Sequence, residues 1–293
     1  MDERFVLAGP RTPLPPPAPK QKWYEGKPVL SMVLLAVILL GCLFCRLFMP
    51  KDPTYMDLSH ASQPPGPEFW FGTDTMGRDI FSMIWYGGRA SLLIGFLSAA
   101  VSAVLAILLG AVSGLAPKWL DAALMRLTEI FLSIPSLLLI ILLQAALGKA
   151  TVWSLSLVIG VTGWTGIAKV VRSEVRRLRS SEYVLASRAM GGGFFHVLRR
   201  HLIPNFFSSI MFMVVMNVRS AIAAESTLSF IGIGLPLEVI SWGSMLSLSE
   251  KAMSGGAWWI ILIPGAFLAV TLLFVTNIGN WLRSTGEQTG SNL

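Results

Sequence analysis

Residues 91–115 form an apolar run without a single charged side chain, SLLIGFLSAAVSAVLAILLGAVSGL. A helix needs roughly 20 apolar residues to cross the hydrocarbon core of a bilayer, so this run is long enough for one transmembrane helix. Working outward, five further apolar runs occur at 29–48, 120–147, 151–168, 202–230 and 257–281. The sequence therefore predicts an all-α integral membrane protein with six transmembrane helices.

The composition supports this prediction. The chain has 293 residues, of which 54% are hydrophobic and 13% are charged, whereas soluble chains are about 25% charged. This excludes a disordered protein and argues against a soluble enzyme, whose single core could not bury so much apolar surface. The two cysteines, Cys42 and Cys45, lie inside the first run. They lack the second Cys/His pair of a metal or redox site, so we interpret them as packing residues.

The distribution of charge predicts the orientation of the chain. The segment 169–204 carries eight basic and two acidic residues, and the net charge is +7. Basic residues mark cytoplasmic loops, so we expect a disordered Pro-rich tail at 1–28, the loop 169–204 and a tail at 286–293 on the cytoplasmic side of a bacterial cell membrane. The loop 50–90 has more acidic than basic residues and is predicted to be external. Topology accounts for the basic residues, so no nucleic acid is expected as a partner.

Signatures of catalysis are missing from the chain. The phosphate-binding GxxxxGK[ST], the zinc-protease HExxH and the serine-hydrolase GxSxG patterns do not occur. His196 and His201 are close in sequence, but two histidines beside basic residues do not make a convincing metal site. We therefore predict no catalytic residue, no metal and no cofactor in this chain.

The cytoplasmic segment 182–205, EYVLASRAMGGGFFHVLRRHLIPN, predicts a helix, a glycine turn and a second helix. Three glycines from Gly191 allow the chain to reverse sharply, and Pro204 suits the first turn of the helix that follows. Two interpretations remain open from the residues alone. The segment is either a surface helix anchored on lipid headgroups or a docking element for another protein.

Three stretches together resemble one family. Glu182, Ala186, Gly191 and the sequence HLIP at 201–204 resemble the EAA loop of ABC-importer permeases, most closely the version found in oligopeptide, dipeptide and nickel importers. Ser187 replaces the usual alanine of that loop. FGTDTMGRD at 71–79, and ESTLSFIGIG at 225–234 followed by SWG at 241–243, resemble two further segments of the same permeases.

The resemblance implies a fold of one N-terminal helix, at 29–49, followed by a five-helix type I importer core at 91–285. It implies that this chain is the second, C-type permease subunit of such a system. Its implied partners are a homologous permease, one or two ABC ATPases and an external solute-binding protein. ATP and magnesium would be bound only by the ATPases. The residues implied to couple this chain to an ATPase are Glu182, Tyr183, Ala186, Ser187, Arg188, Gly191, His201 and Pro204.

Charged residues elsewhere suggest further sites. A carboxyl group at membrane depth is costly, which makes Glu225 a candidate for the translocation path or a gate, together with Arg219 and Ser229. Arg219 lies about 240° around the helix from Glu225, so the two are not expected to pair. The alternative is a structural role.

In the external loop, Asp74 is predicted to cap a short helix and Arg78 to pair with a nearby acid. With Asp79, these residues either brace the loop or contact the binding protein. The small residues of the second run are predicted to allow close helix packing: Gly95, Ser98, Ser102 and Gly110.

The leading hypothesis is thus a peptide importer permease. The nearest alternative is the same kind of importer for nickel or a metal chelate, and the more distant one is a membrane adaptor without transport activity.

Overall fold

The apolar runs fold into a bundle of helices in the computed structural model, which describes residues 28–248, 252 and 255–290. Within these residues there is no β-strand, and the prediction of an all-helical membrane protein is confirmed. The helices are α1 (Val29–Leu43), α2 (Ile80–Leu115), α3 (Lys118–Ser133), α4 (Ser136–Leu147), α5 (Val152–Thr162), α6 (Thr165–Leu178), α7 (Glu182–Ala189), α8 (Phe194–Val197), α9 (Ile203–Phe230), α10 (Trp242–Ser247) and α11 (Trp259–Gly290).

In the described part of the chain, three helices are long and apolar enough to cross a membrane: α2, α9 and α11. Two bent pairs could each form one further span. The α3–α4 pair bends by 95° and the α5–α6 pair by 48°. Helix α1, with 15 residues, is apolar but shorter than a full span. The exact count of six crossings therefore stays a prediction.

The predicted continuous helix over 120–147 is wrong, because Pro135 interrupts it. A proline disfavours the helical conformation of the residue before it, and Ile134 is extended with ψ 129°. The predicted span 151–168 likewise breaks near Gly163 and then continues as α6 to Leu178, beyond the expected membrane edge.

Two predicted loop boundaries also differ. The external loop 50–90 ends at Asp79, because the next helix begins at Ile80 and carries Arg89 in its third turn. Helix α11 continues to Gly290, into the predicted tail 286–293. The first helix ends at Leu43 and is followed by a short turn at Cys45–Leu47, which shortens the predicted 29–49 segment. Apart from Pro28, the predicted tail 1–28 lies outside the described residues.

Helix α2 is the centre of the bundle and packs closely through its small residues, as predicted. Ser98 and Ser102 donate hydrogen bonds to the carbonyl oxygens of Ser156 and Gly160 on α5, at 3.0 and 2.7 Å. A Cβ on Gly110 would lie 2.7 Å from the carbonyl oxygen of Ala168 on α6. Larger residues at these positions would push the helices apart.

The ends of the bundle are distinct. At one end, α10 and the 50–79 loop meet the start of α2, where the Trp242 indole donates to the carbonyl oxygen of Ile84 at 3.0 Å. At the other end, the last turns of α2 meet α6 just before the α7–α8 segment. We call these the loop end and the α7 end of the bundle.

Candidate functional site

The α7–α8 segment forms a helix–turn–helix at the α7 end, and the sequence predicts this shape correctly. The carbonyl oxygen of Ser181 accepts hydrogen bonds from the amides of Val184 and Leu185 in the first turn of α7, at 3.1 and 3.0 Å. After α7, Gly191 adopts φ +86° and the amide of Gly192 donates to the carbonyl oxygen of Ser187 at 2.9 Å. A left-handed glycine directly after a helix is a common helix stop.

The segment presents two different faces. Val184 is fully buried and packs in one cluster with Val197 and Leu202. The opposite face exposes large apolar side chains, with Met190 83% and Phe195 73% exposed. We define the coupling surface as Glu182, Tyr183, Leu185, Met190 and Phe195, all of which are exposed. Several large apolar side chains exposed on one short segment are typical of an interaction site, so this surface is suited to contact another molecule.

The structure divides the predicted coupling residues between this surface and its support. Ala186 is exposed beside Glu182 and Tyr183, whereas Ser187 is buried. Gly191 lies at the turn, where an added Cβ would meet no atom within 4 Å. Pro204 lies in the first turn of α9, and the side chain of Arg188 is outside the described part of the structure.

His201 supports the segment from the α9 side. Its ring lies 5.8 Å from that of Tyr183 and 6.0 Å from that of His196, measured between centroids. No group of three His, Cys, Asp or Glu residues able to hold a metal occurs in the described residues.

A second site lies at the loop end, where Glu225 of α9 is fully buried. Its Oε1 accepts hydrogen bonds from the hydroxyls of Ser229 and Ser241, at 3.0 and 2.8 Å. Its Oε2 accepts from Ser91 of α2 at 3.0 Å. We call these four residues the Glu225 cluster. No ion pair to this carboxyl group occurs within the described ranges.

The hydroxyls of the Glu225 cluster connect the carboxyl group to backbone amides. Ser91, Ser229 and Ser241 accept hydrogen bonds from the amides of Trp242, Leu235 and Ser244, at 3.2, 3.1 and 3.0 Å. Because each hydroxyl accepts from an amide through its oxygen, it can still donate its own proton to the carboxyl group. The arrangement holds α10 and the 231–241 loop against α2 and α9. Ser229 belongs to this network, as does Glu225, and both side chains are buried.

Arg219 is placed differently. It lies near the middle of the α9 span Ser209–Phe230, it is exposed, and no acidic partner contacts it within the described residues. As predicted, it does not pair with Glu225. Helical geometry places Met216, Ala223 and Thr227 on the same side of α9 as Arg219, and these residues are only partly covered by the rest of the chain.

The motif 71–79, which was predicted to be external, folds into a tight buried loop. Asp74 accepts hydrogen bonds at Oδ1 from the amides of Met76 and Arg78, both at 2.8 Å, and its Oδ2 pairs with the Arg78 guanidinium at 2.7 Å. The pairing of Arg78 with an acid agrees with its prediction. The predicted helix cap at Asp74 is wrong. The residue that caps α2 is Asp79, whose carboxylate accepts a hydrogen bond from the Ser82 amide at 2.9 Å. All three side chains are at most 4% exposed.

Replacing Asp79 with alanine is expected to lower the free energy of unfolding by about 1 kcal/mol, because the N-cap of α2 is lost. Asparagine keeps the cap acceptor, so Asp79→Asn should retain most of the stability. The melting temperature of the detergent-purified complex measures both. If Asp79 acts instead by contacting a binding protein, Asp79→Asn will melt normally yet lose stimulation by that protein.

Nearby, Asp57 caps a short turn at Leu58–His60. Hydrogen bonds from Ser59 and from His60 hold the pKa of its carboxyl group below the usual range.

One buried acid at the α7 end was not predicted from the sequence. Asp121 of α3 is 7% exposed and lies between Arg172 and Arg176 of α6. The available signal was the spacing of these two arginines, which puts them on one face of a helix. Ser91 and Ser241 were also missed as partners of Glu225.

This chain matches one family and is similar to two individual relatives. The family described as "Binding-protein-dependent transport system inner membrane component" matches residues 106–284. The oligopeptide transport system permease protein OppC of Bacillus subtilis (strain 168) is 33% identical over 255 residues, which cover 87% of this chain and 83% of that protein. The dipeptide transport system permease protein DppC of the same organism is 34% identical over 234 residues, covering 80% and 73% of the two chains.

Proposed function

Because this chain belongs to the family of inner-membrane components of binding-protein-dependent transport systems, we propose that it forms half of the membrane path of a peptide importer. It is a multi-pass permease subunit of an ABC importer and not an enzyme, since ATP hydrolysis in such systems belongs to separate subunits. The proposal concerns its substrate, its partner permease and the roles of its residues.

The observation that carries the peptide assignment is similarity along most of the chain to permeases named for oligopeptide and dipeptide transport. The nickel or metal-chelate alternative has less support. The described residues contain no group of three metal-binding side chains, and both relatives reported above are named for peptides. Selection of the substrate would rest mainly with the external binding protein.

The coupling surface is the proposed contact with an ATPase. Its exposed Met190 and Phe195 would be buried in a cleft of the ATPase, while Val184 fixes α7 to the bundle. ATP and magnesium would be held by the ATPases. When ATP closes the ATPase dimer, the two coupling segments of the permease pair would approach each other and the path would open outward.

The proposed topology follows the charge pattern. With each bent pair as one crossing and α1 as another, the chain crosses the membrane six times and both termini are cytoplasmic. The loop end then faces outward, where an external binding protein would dock, and the α7 end faces the ATPase. The partner permease would be a homologue of this chain in a heterodimer.

The exposed side of α9 around Arg219 is proposed to face the path or the partner permease. An unpaired guanidinium at mid-membrane is costly in contact with lipid. The neighbouring residues on this side of the helix, such as Ala223 and Thr227, are small or polar and suit a water-filled passage.

The direct test of function is ATP hydrolysis by the complete complex in proteoliposomes. The complex would contain both permeases, the ATPases and the binding protein. One sample receives a mixture of short peptides, and the other receives nickel with a small chelator. We expect stimulation by peptides alone. Stimulation by nickel alone would show that the substrate is a metal and not a peptide. The absence of stimulation by both samples would contradict the importer assignment for these substrates.

Substitutions of Arg219 distinguish whether its side chain faces the translocation path or the lipid. If Arg219 faces the path, Arg219→Leu and Arg219→Gln should each reduce peptide uptake about tenfold, the effect of roughly 1.4 kcal/mol. If it faces lipid, Arg219→Leu should instead raise insertion and stability and leave uptake unchanged. Uptake of radiolabelled dipeptide and the amount of membrane-inserted chain are measured together. Ser220→Ala, a change at the neighbouring exposed position, serves as the control.

A further inference from the structure

Three helices meet at one carboxyl group at the α7 end of the bundle. Asp121 of α3 accepts hydrogen bonds at Oδ1 from Ser113 of α2 at 2.6 Å and from Arg172 Nε at 2.5 Å. At Oδ2 it accepts from Nη2 of Arg172 at 2.8 Å and from Nη2 of Arg176 at 2.5 Å. We call these four residues the Asp121 cluster. Both oxygens are saturated, and Arg172 binds in the two-pronged geometry that fixes position most strongly.

The backbones of α2 and α6 are in direct contact beside this cluster. A Cβ on Gly114 would lie 2.7 Å from Cγ1 of Val175 and 3.1 Å from the carbonyl oxygen of Arg172. The Arg179 guanidinium donates to the carbonyl oxygen of Gly114 at 3.3 Å. Small residues allow helix backbones to pack this closely, so we expect α2 and α6 to move as one unit. Asp121 adds α3 to that unit through side chains, since α3 contacts α6 far less extensively than α2 does within the described residues.

The cluster is also close in sequence to the coupling surface. Helix α6 ends at Leu178 and α7 begins at Glu182, so only residues 179–181 separate them. Arg176 lies in the last turn of α6. A displacement of α7 by an ATPase would therefore act first on the end of α6, where the Asp121 cluster connects it to α2 and α3.

We propose that Asp121 is a positioning residue that makes α3 follow the packed α2–α6 unit when the α7–α8 segment moves during transport. This inference rests on the proposed function, because it assigns to a residue outside the coupling surface the transmission of movement from that surface. Without the Asp121 carboxylate, α6 and α7 would move with the ATPase while α3 lagged behind. Hydrolysis would then continue without the matching rearrangement of the path.

The test uses the complete complex carrying Asp121→Asn. Asparagine keeps the volume and one acceptor but removes the charge that attracts both arginines. We expect hydrolysis without peptide to stay within about twofold of wild type, while stimulation by peptide and binding protein falls about tenfold, a usual size for coupling between sites. Glu129→Gln is the matched control, because Glu129 on the same helix pairs, among the described residues, only with the exposed Arg126. It should behave as wild type.

A structural role alone would reduce the amount of assembled complex without changing the ratio of stimulated to basal hydrolysis. Equal ratios in Asp121→Asn and wild type would overturn the inference. If Asp121→Asn does not assemble, Arg176→Gln decides, because Arg176 is 40% exposed and contributes one hydrogen bond. It should assemble and lower the ratio about threefold, about 0.65 kcal/mol of coupling; an unchanged ratio would contradict the proposal. Loss of stimulation in the wild-type complex itself would instead count against the proposed function.

Discussion

Replacing Gly191 with aspartate is expected to abolish peptide uptake while the chain still inserts into the membrane. The backbone at Gly191 has φ +86°, a conformation that aspartate adopts at a cost of roughly 1 kcal/mol. The new side chain would meet no atom of its own chain, since a Cβ there has nothing within 4 Å. The fold should therefore survive. The carboxylate would project from the turn beside Met190, into the space proposed for the ATPase.

The size of this effect follows from the apolar character of the coupling surface. Burying an unpaired carboxylate in such an interface costs roughly 3 kcal/mol, which lowers the affinity for the ATPase more than about a hundredfold. Co-purification of the ATPase with the permeases, together with peptide uptake into vesicles, measures the loss. Insertion is followed by the amount of chain in washed membranes.

Two variants control for the backbone and for the charge. Gly148 also has a positive φ, at +84°, and open space at its Cβ, but it lies between α4 and α5, away from the coupling surface. Gly148→Asp should insert and transport normally. Gly191→Asn has the same backbone tolerance as aspartate without the charge, so it should keep most of the uptake. Normal uptake by Gly191→Asp would show that this turn does not dock on an ATPase.

Local signals in the sequence predicted the shape of the α7–α8 segment well. A glycine with positive φ ends α7, and a proline lies in the first turn of α9, so the helix–turn–helix at 182–204 needed no tertiary information. The span α9 was also predicted within one residue at its start, because a single apolar run bounds it. Hydropathy does not locate the end of a helix that extends beyond its apolar run. For this reason, the start of α2 at Ile80 was not predicted.

The partners of buried charges could not be predicted from the sequence. Glu225 was singled out because a carboxyl group interrupts an apolar helix, but its partner Ser91 is 134 positions away and looks like any other small residue of α2. Asp121 accepts hydrogen bonds from Arg172 and Arg176, which are 51 and 55 residues away in the sequence. These pairings depend on which helices become neighbours. The bend at Pro135 shows a different limit, since the apolar run continues through it and conceals the break.

Replacing Glu225 with alanine is expected to destabilise the loop end by about 3 kcal/mol, because leaving a buried hydrogen-bond donor without its acceptor costs roughly 1–3 kcal/mol and three hydroxyls lose theirs. The hydroxyls of Ser91, Ser229 and Ser241 would lose their common acceptor while still held by backbone amides. The measurement is the melting temperature of the detergent-purified complex. Proteolysis of the 231–241 loop in intact vesicles should increase in parallel.

The variant Glu225→Gln distinguishes a structural role of Glu225 from a role in the translocation path. Glu225→Gln keeps the shape and one acceptor oxygen, which can still serve Ser229 and Ser241, and loses mainly the bond from Ser91. If Glu225 holds α10 in place, the glutamine variant should melt within about 1 kcal/mol of wild type and retain uptake, while alanine loses both. If the carboxyl group instead contacts substrate or forms a gate, glutamine should lose uptake as completely as alanine at nearly normal stability. The buried, fully hydrogen-bonded carboxyl group favours the first result, because a group that binds a passing peptide must expose an unused acceptor at some point in the cycle.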